Sequence, residues 1–377
     1  MDQNDVSRKF AEVPDSYFTT WWLRWSPDSR AVRFSAATAD RNSIWEALSD
    51  GSQVHDLLSG WHEASDPLHG NWTPDGKYYL FQVNRGGRSD IWAIREAADT
   101  FHKVKRQPIQ LTAGPLSFFS PQSSVDGKRI FAIGVQFRSE LVRYDVKSAQ
   151  FVPYLGGGSV THVSFSRDGK WVTYLSYPER EVWRSRADGT EKLQLTRLPL
   201  SAWAPNISAD GREILFYAFG VGGGQGMYLV SMDGGSLQAL AVGGVHRASG
   251  AASDALRQAY CSPDGRYMVA ATVDGKKLKL YEFATENWSD LAIRDIGFPQ
   301  WSADSNYVYF DTGTSKELAV YRVRISDRKL ERVADLRNFR RAVDPWVSWM
   351  GLTPDGSPLL MRDIGSQEVY ALDLEEP

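Results

Sequence analysis

Trp25-Ser26-Pro27-Asp28 is the stretch that decides the fold of this chain, because altered copies of it recur along the whole sequence. The clearest copy is Trp72-Thr73-Pro74-Asp75-Gly76. The aspartate that anchors each copy returns at steps of 40 to 54 residues. The eight anchors are Asp28, Asp75, Asp126, Asp168, Asp210, Asp264, Asp304 and Asp355. A period of about 40–50 residues is typical of a stacked repeat such as the blade of a β-propeller.

Each copy carries the chemistry of a tight turn between two strands. Proline presets φ, aspartate accepts hydrogen bonds from the backbone that follows it, and glycine accepts a positive φ without strain. An apolar residue stands three positions before seven of the eight anchors. Short runs of β-branched and aromatic residues follow the turn, as at residues 78–81 and 171–175. The pattern therefore predicts a β-hairpin at every anchor.

Each repeat predicts four strands. In the second repeat they are residues 70–73, 78–83, 91–94 and 109–112. Four-stranded antiparallel units arranged around an axis are the blades of a propeller. We therefore expect an all-β chain in which residues 1–377 form a single eight-bladed β-propeller domain.

The two ends of the chain predict how the ring closes. After Leu372 only five residues remain, too few for a loop and a fourth strand. Phe10 stands 18 residues before Asp28, much as Leu193 stands 17 residues before Asp210 in a complete repeat. We predict that residues 7–12 supply the fourth strand of the eighth blade. Such a closure removes exposed sheet edges.

Composition excludes several classes of partner. The net charge of −3 gives no global field that would attract nucleic acid or an anionic membrane. No apolar run is long enough to span a bilayer, and the first residues lack the features of a secretory signal. We expect a monomer that neither binds nucleic acid nor inserts into a membrane. The single cysteine, Cys261, stands where other repeats have Trp or Phe, so we expect a buried small apolar residue.

The direction of the strands predicts which loops share a face. The hairpin turns lie on one face, and the second-to-third links and the connections between blades lie on the other. The second face carries the long irregular stretches. These are residues 58–69, 220–226, 242–258 and 334–345. Because loops on a rigid scaffold commonly carry function, we expect the binding site on this loop-rich face.

The residues six and seven positions before each anchor begin the innermost strands, so they should surround the mouth of the central channel. Aromatic side chains beside a few polar groups suit a peptide segment or a sugar. The alternative is that they only pack between blades. The candidate ligand- or partner-binding residues are Trp21, Trp22, His69, Phe119, His162, Trp203, Arg257, Phe298 and Trp349.

No cofactor or metal is expected. His69 and His162 occupy equivalent positions two repeats apart, but no spacing in the sequence supplies a third ligand. Arg337, Arg340 and Arg341 form a basic cluster that could hold an anionic group, although a solvated loop is the simpler interpretation.

No catalytic nucleophile is visible, since the chain has no Gly-x-Ser-x-Gly elbow. Some propellers catalyse reactions through a channel-mouth cluster of His, Arg and acidic residues. That alternative is a lyase or hydrolase acting on a saccharide or peptide through His69, His162, Arg257 and His246.

The repeats resemble those of TolB-type propellers, whose blades carry Trp-Ser-Pro-Asp-Gly-Lys followed by an Ile-Trp or Ile-Tyr strand. Residues 72–77 together with Asp90-Ile91-Trp92 match that signature. Longer stretches resemble the propellers that form the C-terminal part of bacterial winged-helix transcriptional regulators, among them residues 140–145 and 165–171. We expect a non-enzymatic binding or sensory module of a bacterial regulator, and the resemblance implies a periplasmic location if the parent protein is membrane-anchored. The identity of the protein partner or small ligand is left open.

Overall fold

The structure is a computed structural model of the chain. It describes residues 9–14, 19–38, 41–61, 66–96, 107–198, 200–221, 224–240, 256–313, 317–343 and 348–373. Two compact units divide the chain. The first unit comprises Met1–Phe137, Phe219–Gln225 and Gly365–Pro377, and the second unit comprises Arg138–Ala218 and Gly226–Ile364. The described residues form eight antiparallel sheets and one short 3-10 helix, Leu155–Gly157, which confirms the all-β prediction.

The predicted hairpin turn is present at all eight anchors. Ser26 Oγ donates to Asp28 Oδ1 at 2.6 Å, and the backbone N–H of Arg30 donates to the same oxygen at 3.1 Å. A serine or threonine two residues earlier donates to each of the other seven anchor aspartates in the same way. These hydrogen bonds to the charged form hold the pKa of every anchor aspartate below its ordinary value, to about 2 at Asp264.

The position after the aspartate adopts a positive φ whether or not it is glycine. Gly76 has a φ of 71° there, and Ser29 and Ser305 reach 58° and 60° in the two repeats without glycine. The local hydrogen bonds of the turn therefore override the preference of serine for negative φ.

The first unit contains the first three sheets of the described chain. The first sheet comprises β1 (Thr19–Trp25), β2 (Ala31–Ala37), β3 (Asn42–Leu48) and β4 (His55–Asp56). The second sheet comprises β5 (Asp66–Trp72), β6 (Tyr78–Arg85), β7 (Arg88–Arg95) and β8 (Ile109–Gln110). The third sheet comprises β9 (Ser117–Ser123), β10 (Arg129–Gln136) and β31 (Ser366–Asp373), with β10 in the middle.

The remaining strands form five sheets, whose residues belong to the second unit except for 219–225. The fourth sheet comprises β13 (Val160–Phe165), β14 (Trp171–Ser176), β15 (Val182–Arg186) and β16 (Leu193–Gln194). The fifth comprises β17 (Ser201–Ile207), β18 (Glu213–Val221), β19 (Gly224–Ser231) and β20 (Gln238–Leu240). The sixth comprises β21 (Leu256–Cys261), β22 (Tyr267–Thr272), β23 (Lys277–Glu282) and β24 (Asn287–Ile293). The seventh comprises β25 (Gln300–Trp301), β26 (Tyr307–Asp311), β27 (Ala319–Arg324) and β28 (Leu330–Asp335). The eighth comprises β29 (Met350–Leu352), β30 (Pro358–Asp363), β11 (Ser139–Asp145) and β12 (Gln150–Pro153).

The third and eighth repeats exchange their outer strands, which corrects the prediction that each repeat forms its own blade. β10 pairs with β31, while β11 pairs with β30. The backbone of the connecting loops is consistent with this exchange of strands. Gly86 and Gly87 both have positive φ, as a two-residue hairpin between β6 and β7 requires. Phe137 and Arg138, which link β10 to β11, are not among the described residues with positive φ, so the chain continues into another sheet instead of turning back.

The closure predicted for residues 7–12 is not what the described residues show. Residues 9–14 form no strand, and residues 7 and 8 lie outside the described part of the chain. Phe10 packs edge-on against Trp25, with ring centroids 6.4 Å apart, and Val13 packs against the apolar side chains of the first sheet. The N-terminal segment therefore covers an apolar face of the first sheet, and β11 and β12 complete the eighth sheet in its place.

Within each unit, apolar side chains pack between neighbouring sheets. Ile44 of the first sheet packs with Phe81 of the second, and Ile91 of the second packs with Ala132 of the third. In the second unit the fourth sheet packs with the fifth, and the sixth packs with the seventh. In the second unit, residues of the first strand of each sheet line a cavity.

Candidate functional site

The inner strands share a local irregularity at the predicted site positions. Trp22, His69, Ser120, His162 and Ala204, each six residues before an anchor, have φ between 48° and 58°. The pairing register of the first two strands shifts at the same place, between Trp21 and Arg24 in the first sheet. An extra residue with positive φ is a β-bulge, which turns a side chain away from the regular alternation. The bulged conformation of these positions carries no signal in the repeat.

In the first unit, the bulges bring Trp21, Trp22 and His69 together. The indole N–H of Trp21 donates to Nε2 of His69 at 3.0 Å, and the indole N–H of Trp22 donates to the carbonyl oxygen of Gly70 at 3.1 Å. The rings of Trp22 and His69 lie 4.7 Å apart. The guanidinium of Arg24 stacks on Trp22, 4.4 Å from the ring centroid.

These contacts favour the neutral form of His69. An imidazole whose Nε2 accepts the indole hydrogen bond carries its proton on Nδ1. Burial lowers the pKa of His69, and the nearby positive charge of Arg24 lowers it further, while a hydrogen bond with Gln82 acts in the opposite direction. Phe119, the remaining site residue of this unit, is half-buried and packs edge-on against Phe137.

The second unit contains a cavity of about 1040 Å³. The first strand of each of its five sheets contributes to the lining. Asn206 and Gln300 place amide groups on the wall, and Ser164 adds a hydroxyl group. Tyr260 and Trp301 add aromatic surface, and the indole N–H of Trp301 donates to the carbonyl oxygen of Tyr260 at 2.9 Å. These five residues were not named as binding candidates in the sequence analysis. They stand three or four positions before an anchor, whereas the candidate positions stand six or seven before one.

One end of this cavity is an aromatic cluster. The ring of His162 lies 4.5 Å from Trp203, 6.1 Å from Phe298 and 6.1 Å from Trp349. His162, Phe298 and Trp349 are buried, and Trp203 is half-buried. The structure therefore brings four of the predicted site residues together, packed as a closed end instead of an open aromatic rim.

The accessible lining lies at the other end. Arg167, Pro263, Asp264, Ala303 and Asp304 belong to the hairpin turns, and all five are exposed. The cavity therefore opens on the side of the turns, whereas we expected the site on the loop-rich face. That the predicted residues bind a ligand remains a prediction.

Charged side chains contact the aromatic residues of the closed end and one another. Arg180 stacks on Trp203, 4.2 Å from the ring centroid, and donates through Nε to the carbonyl oxygen of Ala202. Asp311, only 1% exposed, accepts a hydrogen bond from the backbone N–H of Phe298 at 2.7 Å. Arg341 forms an ion pair with the other oxygen of Asp311 at 2.5 Å.

Each of the three arginines in the basic cluster has an aspartate partner. Arg337 pairs with Asp335 and Arg340 pairs with Asp363, so each of these two arginines faces an aspartate, as Arg341 does. An open anion site is not what these residues form.

The described residues of the enzyme alternative do not belong to one unit. His69 belongs to the first unit and His162 to the second. The side chain of Arg257 and the whole of His246 lie outside the described residues. Cys261 is exposed, contrary to the prediction of a buried residue, and it is the last residue of β21, the edge strand of its sheet.

Within the described ranges, no three His, Cys, Asp or Glu side chains converge as metal ligands. The same part of the chain contains no helix long and apolar enough to cross a membrane.

Comparison with known proteins gives neighbours only among solved structures. No protein-family model matches the chain, and no curated protein does. TolB from Acinetobacter baumannii matches 83% of the chain at 16% identity with a TM-score of 0.28, and the chain spans 63% of the length of that protein. A putative TolB from Agrobacterium tumefaciens matches 63% of the chain and 90% of its own length, at 17% identity and a TM-score of 0.31. An oligogalacturonate lyase in complex with manganese matches 90% of the chain and 87% of its own, at 13% identity and a TM-score of 0.25. Likenesses this distant carry no argument about function.

Proposed function

We propose that this protein is a non-enzymatic binding module whose ligand enters the cavity of the second unit from the side of the hairpin turns. The observation that carries the proposal is the aromatic closed end formed by His162, Trp203, Phe298 and Trp349. A cavity of this volume, with an aromatic end and polar groups along its wall, has room for a ligand and groups to orient it.

The lining suits a ligand with one flat apolar face and several hydrogen-bonding groups. Trp203 is the member of the aromatic cluster that keeps part of its surface accessible beside the stacked Arg180, so it offers apolar contact area to the ligand. Asn206, Gln300 and Ser164 offer neutral donors and acceptors beside it. A sugar ring and an aromatic or proline residue of a partner's peptide both share this chemistry.

We further propose that binding serves a sensory role in a bacterial regulator, with the repeats acting as propeller blades. Support for this comes from the resemblance of the repeats to TolB-type propellers and to the propellers of winged-helix regulators. The enzyme alternative has no specific observation in its favour. His69 and His162 are each held by aromatic neighbours of their own unit.

The test compares two tryptophan variants in a binding screen. Short oligosaccharides and synthetic decapeptides are first screened by thermal shift, since a ligand at about 100 times its Kd stabilises the folded state by about 2.7 kcal/mol. Trp203→Ala should weaken binding of the active class by about tenfold or more in calorimetry. Trp288→Ala is the matched control, because Trp288 lies on the outer strand β24 of the same unit.

The possible results either support the cavity as the ligand site or reject it. Binding of oligosaccharides alone or of peptides alone, lost in Trp203→Ala and kept in Trp288→Ala, supports the site and names the ligand class. Equal binding by both variants, or no binding by either class, rejects the cavity as the ligand site.

A further inference from the structure

The outer edge of β31 differs from every other outer sheet edge among the described residues. β4, β8 and β16 have two residues each, and β20 and β12 have three and four. Short outer strands limit pairing with foreign strands. β31 is eight residues long, and no described strand pairs with its other edge.

The two other long outer strands are interrupted, whereas β31 is not. The ladder of β24 shifts its register between Leu278 and Lys279, and that of β28 shifts between Val320 and Tyr321. β31 pairs with β10 through eight consecutive residues without a shift. Its sequence, SQEVYALD, contains no Lys, Arg or Pro, the residues that most often protect an edge.

The face beside this edge is apolar and exposed. Tyr370 and Leu372 point toward the second sheet and pack with its core. The alternate residues point the other way, where Val369 is 75% exposed and Phe131 of β10 is 40% exposed. A backbone edge without a partner among the described strands and an apolar face therefore lie together on the third sheet.

We propose that β31 is a dimerisation edge, which pairs antiparallel with β31 of a second copy of this chain. A two-fold axis centred on Val369 places that residue opposite the same residue of the second copy, and Glu368 opposite Tyr370. Residues of one face then meet residues of the same face. No carboxylate lies opposite another in this register, so charge does not oppose the pairing.

This proposal departs from the monomer that we expected from the sequence, and it is independent of the ligand site in the second unit. The difference arises because the sequence predicted a fourth strand on this edge, from residues 7–12. The structure instead leaves the edge without a partner among the described strands.

The test measures self-association by sedimentation velocity from about 1 µM to about 500 µM protein. The wild-type chain should form a reversible dimer. Val369→Lys should weaken association by about tenfold or more, since a lysine on an edge opposes strand addition. Val125→Lys is the matched control, because Val125 is 95% exposed and lies in the turn of the same sheet.

A disulfide experiment tests the register. In a Cys261→Ser background, Val369→Cys should give a covalent dimer on mild oxidation, while the more exposed Val125→Cys should not. Circular dichroism establishes that each variant is folded. A wild-type chain that stays monomeric at the highest concentration overturns the proposal. Association unchanged by Val369→Lys, or crosslinking as fast through Val125→Cys, also overturns it.

Discussion

The indole N–H of Trp21 donates to Nε2 of His69 across two sheets of the first unit, at 3.0 Å. The bond requires a neutral imidazole, because a protonated ring has no acceptor nitrogen. The folded state therefore disfavours the proton that an imidazole ordinarily binds at a pKa of 6.5.

The stability of the protein should consequently depend on pH through His69. Its lowered pKa means that the unfolded chain binds the proton more readily, so lowering the pH below about 6.5 favours unfolding. We expect the free energy of unfolding in urea to fall between about pH 7.5 and about pH 5.

His69→Gln should flatten this pH dependence, since glutamine does not titrate in that range. His55→Gln, at an exposed histidine of the same unit, is the matched control for a histidine-to-glutamine substitution. An unchanged pH profile in His69→Gln would show that the Trp21–His69 contact does not control the dependence.

The ion pair between Arg341 and Asp311 gives a second prediction. Replacing Arg341 with leucine leaves the buried Asp311 carboxylate without its cation, at a cost of about 3–5 kcal/mol in the free energy of unfolding. Urea denaturation followed by tryptophan fluorescence measures the loss.

A double variant separates charge from packing. Asp311→Asn removes the charge but keeps an oxygen that can accept the hydrogen bond from Phe298. Asp311→Asn combined with Arg341→Leu should therefore be more stable than Arg341→Leu alone. A double variant that is no more stable would show that the arginine contributes through packing.

The exchange of outer strands gives a third prediction, testable by disulfide formation. Phe131 of β10 pairs with Ala371 of β31, and paired antiparallel residues lie within the distance that a disulfide spans. In a Cys261→Ser background, Phe131→Cys with Ala371→Cys should form an intramolecular disulfide, seen by mass spectrometry.

The matched control tests the arrangement expected from the repeat alone. A hairpin turning at Phe137 and Arg138 would place residue 131 opposite Tyr144. Phe131→Cys with Tyr144→Cys should therefore stay reduced. Oxidation of this control pair, with the first pair reduced, would restore the predicted third repeat.

The sequence predicts the local structure better than the long-range pairing. All eight anchor turns form as expected, because Ser26 with Asp28 and its seven counterparts hold their turns by contacts within a few residues. The pairing of β10 with β31 joins segments more than 200 residues apart in the sequence. Nothing in the repeat distinguishes that pairing from a hairpin, except the absence of turn residues at Phe137 and Arg138.

The candidate site is predictable to a similar degree. The spacing from the anchors identified His162, Trp203, Phe298 and Trp349, which the structure brings together. Their burial, and the opening of the cavity beside Asp264 and Asp304, depend on how the sheets of the second unit pack together, which the spacing of the repeats does not encode.

The hydrogen bond from hydroxyl to carboxylate in each anchor turn lies within the hairpin itself, so it does not depend on which strand pairs with the outer side of that hairpin. The third sheet illustrates this independence, because the turn at Asp126 keeps its hydrogen bond from Ser124 although the strand beside β10 comes from the far end of the sequence.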